Sequence, residues 1–255
     1  MAKLPKEYQF IDLSDYGRSP ALWIAGVLKN SSFTPIHVTT AFIVSGLLAI
    51  ICILNGAYLW AAFLLILKSI LDAADGALAR LKNTPSYVGR YYDSIADIIL
   101  NFLFLLTFWY VTDTSFLLVI LAFIGLQLQG TLYNYYYVIL RNAVHGDTTS
   151  RVFEDSPPVA LKGESQKSVN IFFRIFYILY APFDKTIQVL DNKAIHCRPF
   201  PKWFMTILSS LGLGFQLLIM AVFLVLNKPE YVLPFFIFYS FLILIVIGIR
   251  RAILN

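Results

Sequence analysis

Residues 72–97 read DAADGALARLKNTPSYVGRYYDSIAD, in a chain otherwise close to lipid in character. Four carboxylates, Asp72, Asp75, Asp93 and Asp97, fall at helical spacing near the ends of two apolar stretches. A charge placed inside hydrocarbon costs several kcal/mol, so acids in such a setting ordinarily mark a functional site. The stretch predicts two membrane helices joined by a short turn, with metal-assisted chemistry at the membrane surface.

The rest of the chain supports a membrane setting. Of its 255 residues 58% are hydrophobic and only 14% charged, about half the charge usual for a soluble domain. Several apolar runs approach the roughly 20 residues needed to cross a ~30 Å hydrocarbon core. The net charge of +5 is gathered in the segments that would share one side of the bilayer, as the positive-inside rule requires. That distribution excludes nucleic acid as the partner and points to anionic head groups and phosphorylated substrates. Cys52 and Cys197 give neither a disulfide framework nor a metal-ligand spacing. The polar start, with Lys3, Lys6, Glu7, Asp12 and Asp15, does not read as a cleaved signal peptide.

The predicted fold is all-α and integral to the membrane: six transmembrane helices behind an N-terminal juxtamembrane amphipathic helix. That helix covers residues 14–29 around Trp23, with Pro20 near its start. The spans run over about 36–54, 58–80, 89–111, 115–141, 203–226 and 231–249. Residues 171–190 are interrupted by Arg174, Pro182, Asp184 and Lys185, and read as a helix lying in the interface. Residues 1–33 thus form a cytoplasmic, interfacial segment and 34–255 the membrane domain, with 142–201 polar or interfacial between spans four and five. With a cytoplasmic N-terminus, only Lys228 lies in an outer turn and only Lys68 within a span.

Asp72 and Asp75 are three positions apart, Asp93 and Asp97 four, so each pair shares a helix face. Four carboxylates converging there repel unless protonated or neutralised by metal. Oxygen-only ligands without His or Cys favour hard divalent ions, Mg²⁺ or Mn²⁺ first and Ca²⁺ as competitor. Gly76 and Ala79 clear the helix surface for a bulky ligand, and Gly89 opens the start of the next span. Arg80 puts a phosphate-binding guanidinium beside the metal. Lys68, four residues before Asp72, reads as an intrahelical ion pair that orients it.

The pattern D-x-x-D-G-x-x-A-R-x(8)-G-x-x-x-D-x-x-x-D resembles the signature of the CDP-alcohol phosphotransferase (CDP-alcohol phosphatidyltransferase) family. All eight positions are filled, by Asp72, Asp75, Gly76, Ala79, Arg80, Gly89, Asp93 and Asp97. The resemblance implies a metal-dependent enzyme of phospholipid synthesis, with two Mg²⁺ or Mn²⁺ ions, that moves a phosphatidyl group from CDP-diacylglycerol to a small polar alcohol and releases CMP. Asp72, Asp75 and Asp93 would bind metal, while Asp97 would serve as base and touch a second ion. Gly76, Ala79, Arg80 and Gly89 would line the CDP and phosphate site. It further implies a CDP-linked donor, an alcohol acceptor, membrane lipids and a second copy of the chain as partners. The active site and both termini would face the cytoplasm, in a bacterial inner membrane judging by the chain's compactness. Family members often carry Pro-Asn and then Thr at the first span; here Ile36 stands where the Asn would be, within Thr34-Pro35-Ile36-His37-Val38-Thr39. That segment stays outside the predicted site.

Other readings remain beside this one. The same eight residues serve transfer of phosphocholine or phosphoethanolamine from a CDP ester to diacylglycerol. A cation transporter is the rival of another class, though transporter acids usually lie at mid-membrane on broken helices. Tyr133, Tyr135, Tyr136 and Tyr137 read as an interfacial aromatic belt, with a cage for a choline-like cation as the alternative. His37, His145 and His196 share no ligand spacing and read as structural or surface residues.

Overall fold

A computed structural model describes residues 4–144, 151–152, 154–197 and 199–254. His145, within the predicted polar segment, lies outside the described residues. The described residues form helices and no strands: α1 (Arg18–Leu28), α2 (Pro35–Leu54), α3 (Tyr58–Leu81), α4 (Tyr87–Thr112), α5 (Phe116–Ala143), α6 (Gln166–Leu190), α7 (Lys202–Ser209), α8 (Leu213–Val225), α9 (Val232–Tyr239) and α10 (Phe241–Ile253).

Local chemistry sets the boundaries. The Thr34 hydroxyl caps α2 by accepting the His37 N–H, and His37 Nδ1 accepts the Thr34 N–H at 3.0 Å. His37 thus does the work of the usual Glu in a capping box, ahead of a Pro in the first turn. α2 stops at Asn55-Gly56, where Gly56 takes φ 71°. Ser86 caps α4 by accepting the Gly89 N–H at 2.8 Å. Lys82, just past α3, donates to the carbonyls of Ser31 and Phe33 at 2.7 and 2.6 Å, which ties the α1–α2 turn to the end of α3.

The first four predicted spans match α2 to α5 closely in extent, but the expectation of six is not met as stated. Among the described residues four helices are long and apolar enough to cross a membrane: α2, α4, α5 and the Pro229–Ile253 unit that contains α9 and α10. A fifth is reached if α7 and α8, bent by 47°, count as one. The predicted second span, α3, falls short in composition, because every eighteen-residue stretch of it carries at least three charges.

The α7–α8 break has a visible cause. Ser209 and Ser210 turn their hydroxyls back onto the carbonyls of Thr206 and Ile207, and the N-terminal segment docks into the gap. There the Leu13 N–H donates to Ser209 Oγ at 2.9 Å, and the Gly214 N–H donates to Ser14 Oγ at 3.0 Å. A Cβ on Gly214 would lie 1.9 Å from the Ser14 carbonyl oxygen, so only glycine admits this approach.

The central core joins α2, α3, α4, α5, α8 and α9 through residues such as Phe42, Leu65, Phe104, Leu126, Met220 and Phe236. Helix α6 packs across α4 and α5, with its Phe183 ring 6.2 Å from Phe123 in the first third of α5. Near its start Phe173 and Phe176 pack on Tyr91, in the first turns of α4, and the Tyr180 hydroxyl donates to the Ser94 carbonyl at 2.7 Å. Its far end meets the last third of α5, where the Tyr135 hydroxyl donates to the Asp191 carbonyl at 3.1 Å. Both contacts lie toward the end of the bundle where α3 finishes and α4 begins, called here the acidic end. Asp191 is buried there and accepts from Arg250 and Tyr136, which fastens α10 to α5. A carboxylate and a guanidinium hidden together must satisfy one another, or each costs several kcal/mol.

Candidate active site

The connection between α3 and α4 is only five residues, 82–86. The helices therefore run antiparallel, and the end of one faces the start of the other. One oxygen each from Asp72, Asp75 and Asp93 lies within 4.8 Å of the others. The four predicted metal carboxylates divide three and one. Asp97, a turn further along α4, is paired with Lys68.

Lys68 is wholly buried on α3. Its ammonium holds Asp97 across the helix pair, lies 3.2 Å from Asp72 Oδ2 and stands 4.6 Å from the centre of the Phe42 ring. The predicted contact with Asp72 is present, and the tie to Asp97 is additional. Asp75 is held from the other side, where the Thr39 hydroxyl donates to its Oδ2 at 2.6 Å. Thr39 belongs to the segment left out of the predicted site; its place in the second turn of a helix facing the acids was the available signal.

Asp93 Oδ1 is buried with no protein donor. An anionic oxygen in that condition is costly, and a hard divalent cation would satisfy it. With three carboxylates converging and no softer ligand among them, the triad could hold a metal ion.

All eight motif residues line one cavity of about 1250 Å³. A Cβ on Gly76 would sit 3.4 Å from the Arg80 guanidinium, so the arginine folds back over the glycine toward the acids. At Gly89 a Cβ would crowd Ser86 Oγ at 3.1 Å, so this glycine serves the α4 cap as well as the opening. The walls include residues that the sequence did not single out for the site: Asp12, Asp15 and Arg18 before α2, and Glu154, Asp155 and Leu161 before α6.

The segment before α6 is fastened to α4 at two points. Arg90 grips Glu154 through both its terminal nitrogens, at 2.5 and 2.9 Å, and the Tyr91 hydroxyl donates to the same carboxylate. Glu164 accepts from Ser86 Oγ at 2.7 Å and from the Val88 N–H at 2.8 Å. These donors hold the Glu164 carboxyl below its usual range against the opposing effect of burial.

The tyrosine cluster does not form a lipid-facing belt. Tyr135, Tyr136 and Tyr137 are buried inside the protein. Tyr133 stacks on Tyr137 and donates to Asp12 Oδ2 at 2.5 Å. The Arg141 guanidinium lies 5.3 Å from the centre of the Tyr137 ring, where a cage would hold a ligand cation.

Residues 33–190 match the family model for CDP-alcohol phosphatidyltransferases, a stretch that holds all eight motif residues and most of the cavity wall. No curated protein matches the chain. With the motif complete, three of its carboxylates convergent and well over half of the chain matched, this protein belongs to the CDP-alcohol phosphatidyltransferase family and is an enzyme of the CDP-alcohol phosphotransferase type.

Proposed function

We propose that the enzyme transfers a phosphatidyl group from CDP-diacylglycerol to a small polar alcohol and releases CMP. The observation that carries this reading is the convergence of Asp72, Asp75 and Asp93 in the cavity that Asp97 and Arg80 also line. Asp72, Asp75 and Asp93 would hold Mg²⁺ or Mn²⁺, with Asp97 beside a second ion. Bound there, the metal supplies positive charge against the donor's pyrophosphate. Arg80 binds phosphate oxygens from the rim, and Gly76, Ala79 and Gly89 leave room for the nucleotide. Asp97 takes the proton of the acceptor hydroxyl. The acceptor oxygen bonds to the lipid-linked phosphorus, the pyrophosphate P–O bond breaks, and its electron pair leaves with CMP. Lys68 and Thr39 hold Asp97 and Asp75 in position.

The charge bias supports a cytoplasmic acidic end, with both termini on that side and α6 lying along the interface. A homodimer follows from the family resemblance, and a bacterial inner membrane from the compact chain. A transport path is less well supported, because the acids sit toward the ends of two unbroken helices beside an arginine suited to phosphate.

The test is CMP release by the purified full-length protein from labelled CDP-diacylglycerol, with Mg²⁺ or Mn²⁺ and a panel of alcohols. Metal-dependent CMP is expected. If no CDP-alcohol yields CMP, the transferase reading fails. CMP formed from CDP-choline and diacylglycerol, and not from CDP-diacylglycerol, would reverse the roles of donor and acceptor. Asp97→Asn should keep donor binding and lose about 10²–10⁴-fold in turnover, whereas an unchanged rate would remove Asp97 as the base.

A further inference from the structure

Two buried amides line the cavity beyond the acids, each with one polar atom unpaired. Asn101 and Gln127 are each 5% exposed, and Asn101 Oδ1 and Gln127 Nε2 have no hydrogen-bond partner. Both residues belong to the cavity wall. Other buried glutamines nearby behave differently. Gln216 Nε2 donates to the Leu126 and Leu211 carbonyls and to Gln129 Oε1, while Gln129 Nε2 donates to the Phe236 carbonyl and Ser240 Oγ. The protein satisfies those amides itself, including Gln216, which also lines the cavity, and leaves Asn101 Oδ1 and Gln127 Nε2 open. An orphaned buried polar atom carries its full desolvation cost, so an unfilled pair is retained against stability.

Register places the pair beside the proposed base. Asn101 is one helical turn beyond Asp97 on the same face of α4. Helices α4 and α5 run antiparallel and meet where the Phe102 and Phe123 rings lie 5.1 Å apart. One turn from Phe123 toward the acidic end is Gln127, which faces the level of Ile98 on α4, next to Asp97. Both residues thus line the end of the cavity furthest from the α3–α4 turn.

We propose that Asn101 and Gln127 form a subsite for an uncharged hydroxyl of the acceptor alcohol, one turn deeper than Asp97. This rests on the transferase reading above and deepens it to a class of acceptor: a neutral diol or polyol. An unsatisfied carbonyl oxygen requires a donor and an unsatisfied amide N–H requires an acceptor, and a hydroxyl is both. Lys68 and Asp97, the charged groups next to the pair, engage one another, whereas a neutral hydroxyl needs no counter-charge to bind there.

The experiment uses full-length protein with Gln127→Leu and Asn101→Leu made separately. Thermal unfolding comes first: each variant should melt at or above the wild-type temperature, because an apolar group of similar size replaces an unsatisfied amide. A fall of several degrees in both assigns the pair to holding the fold and overturns the subsite. Next, myo-inositol or glycerol should raise the wild-type melting temperature and fail to do so in the variants; equal shifts in all three proteins overturn it. In CMP release, the KM for the polyol should rise about tenfold or more, with the KM for CDP-diacylglycerol within about twofold of wild type. Serine and glycerol 3-phosphate should be poor acceptors, and preference for either overturns the proposal. If the wild type releases no CMP with any pair, the transferase reading fails, while the polyol melting shifts still decide the subsite.

Discussion

Lys68 on α3 and Asp97 on α4 form an ion pair that crosses the helix interface, with the lysine wholly buried. The same ammonium reaches Asp72, so one cation joins two of the four motif carboxylates. Breaking a buried pair by removing one partner typically costs about 3–5 kcal/mol. Lys68→Met should therefore unfold well below wild type in chelator, where four carboxylates are left without their cation. Added Mn²⁺ should recover part of the loss, since a divalent ion offsets the same repulsion. Melting curves of both proteins with EDTA and with Mn²⁺ check this, and a variant as stable as wild type in EDTA would contradict it.

Thr39 presents a second dependency. Its hydroxyl is 2.6 Å from Asp75 Oδ2, and groups that orient a metal-binding carboxylate typically contribute about 10–100-fold in metal affinity or activity. Thr39→Val keeps the shape and removes the donor. The Mn²⁺ concentration that half-saturates CMP release should rise within that range. An unchanged Mn²⁺ dependence would leave Thr39 a packing residue only.

These two residues also mark how far the sequence could be read. The triad was legible because its geometry is local: a three-residue step on one helix, a short turn, and the next helix returning. The Lys68–Asp72 contact was legible for the same reason. The Lys68–Asp97 and Thr39–Asp75 contacts depend on how α2, α3 and α4 pack, and no periodicity in the chain encodes that. Residues 14–29 read as an interfacial helix behind a polar start, yet Asp12, Asp15 and Arg18 wall the cavity because Ser14 docks on Gly214 two hundred residues away. The fifth expected span read as continuous because hydropathy does not register a serine pair folding its hydroxyls onto its own helix. The tyrosine cluster misled because belt composition and buried packing use the same residues; Asp12 and Asp191, their partners, are distant in sequence.

Glu164 links stability to pH. Its carboxylate caps α4 through Ser86 Oγ and the Val88 N–H, and those donors hold its proton affinity below the ordinary glutamate value of 4.5. The group binds fewer protons folded than unfolded near that value, so its contribution is present above about pH 4.5 and fades as pH falls through the lower folded value. Glu164→Gln should be less stable than wild type at pH 7, on the order of 1 kcal/mol as for a lost helix cap. The difference should shrink steadily on acidification. Paired melting curves from pH 7 to pH 3.5 test the sign; a gap that widens toward acid would contradict the capping role.

Two glycines at the start of α8 make opposite predictions under one rescue. A Cβ on Gly214 would stand 1.9 Å from the Ser14 carbonyl oxygen, a backbone atom that no rotamer can withdraw. A Cβ on Gly212 would instead meet the Ser14 side chain, its Oγ at 2.5 Å and its Cβ at 2.6 Å, with the Tyr133 ring next at 2.9 Å. Both Gly→Ala variants should lose stability by about 1–3 kcal/mol, the usual range for forced overpacking. Each should also lower CMP release, because the displaced segment carries Asp12, Asp15 and Arg18 of the cavity wall. Adding Ser14→Gly removes the atoms that obstruct Gly212→Ala, so part of that variant's melting temperature should return. The same addition cannot relieve Gly214→Ala, since the obstructing carbonyl remains and the hydroxyl that accepts the residue 214 N–H is lost as well. Melting temperatures of the two double variants against their singles decide the matter. Equal rescue of both would mean that the N-terminal segment is not seated on α8 as described.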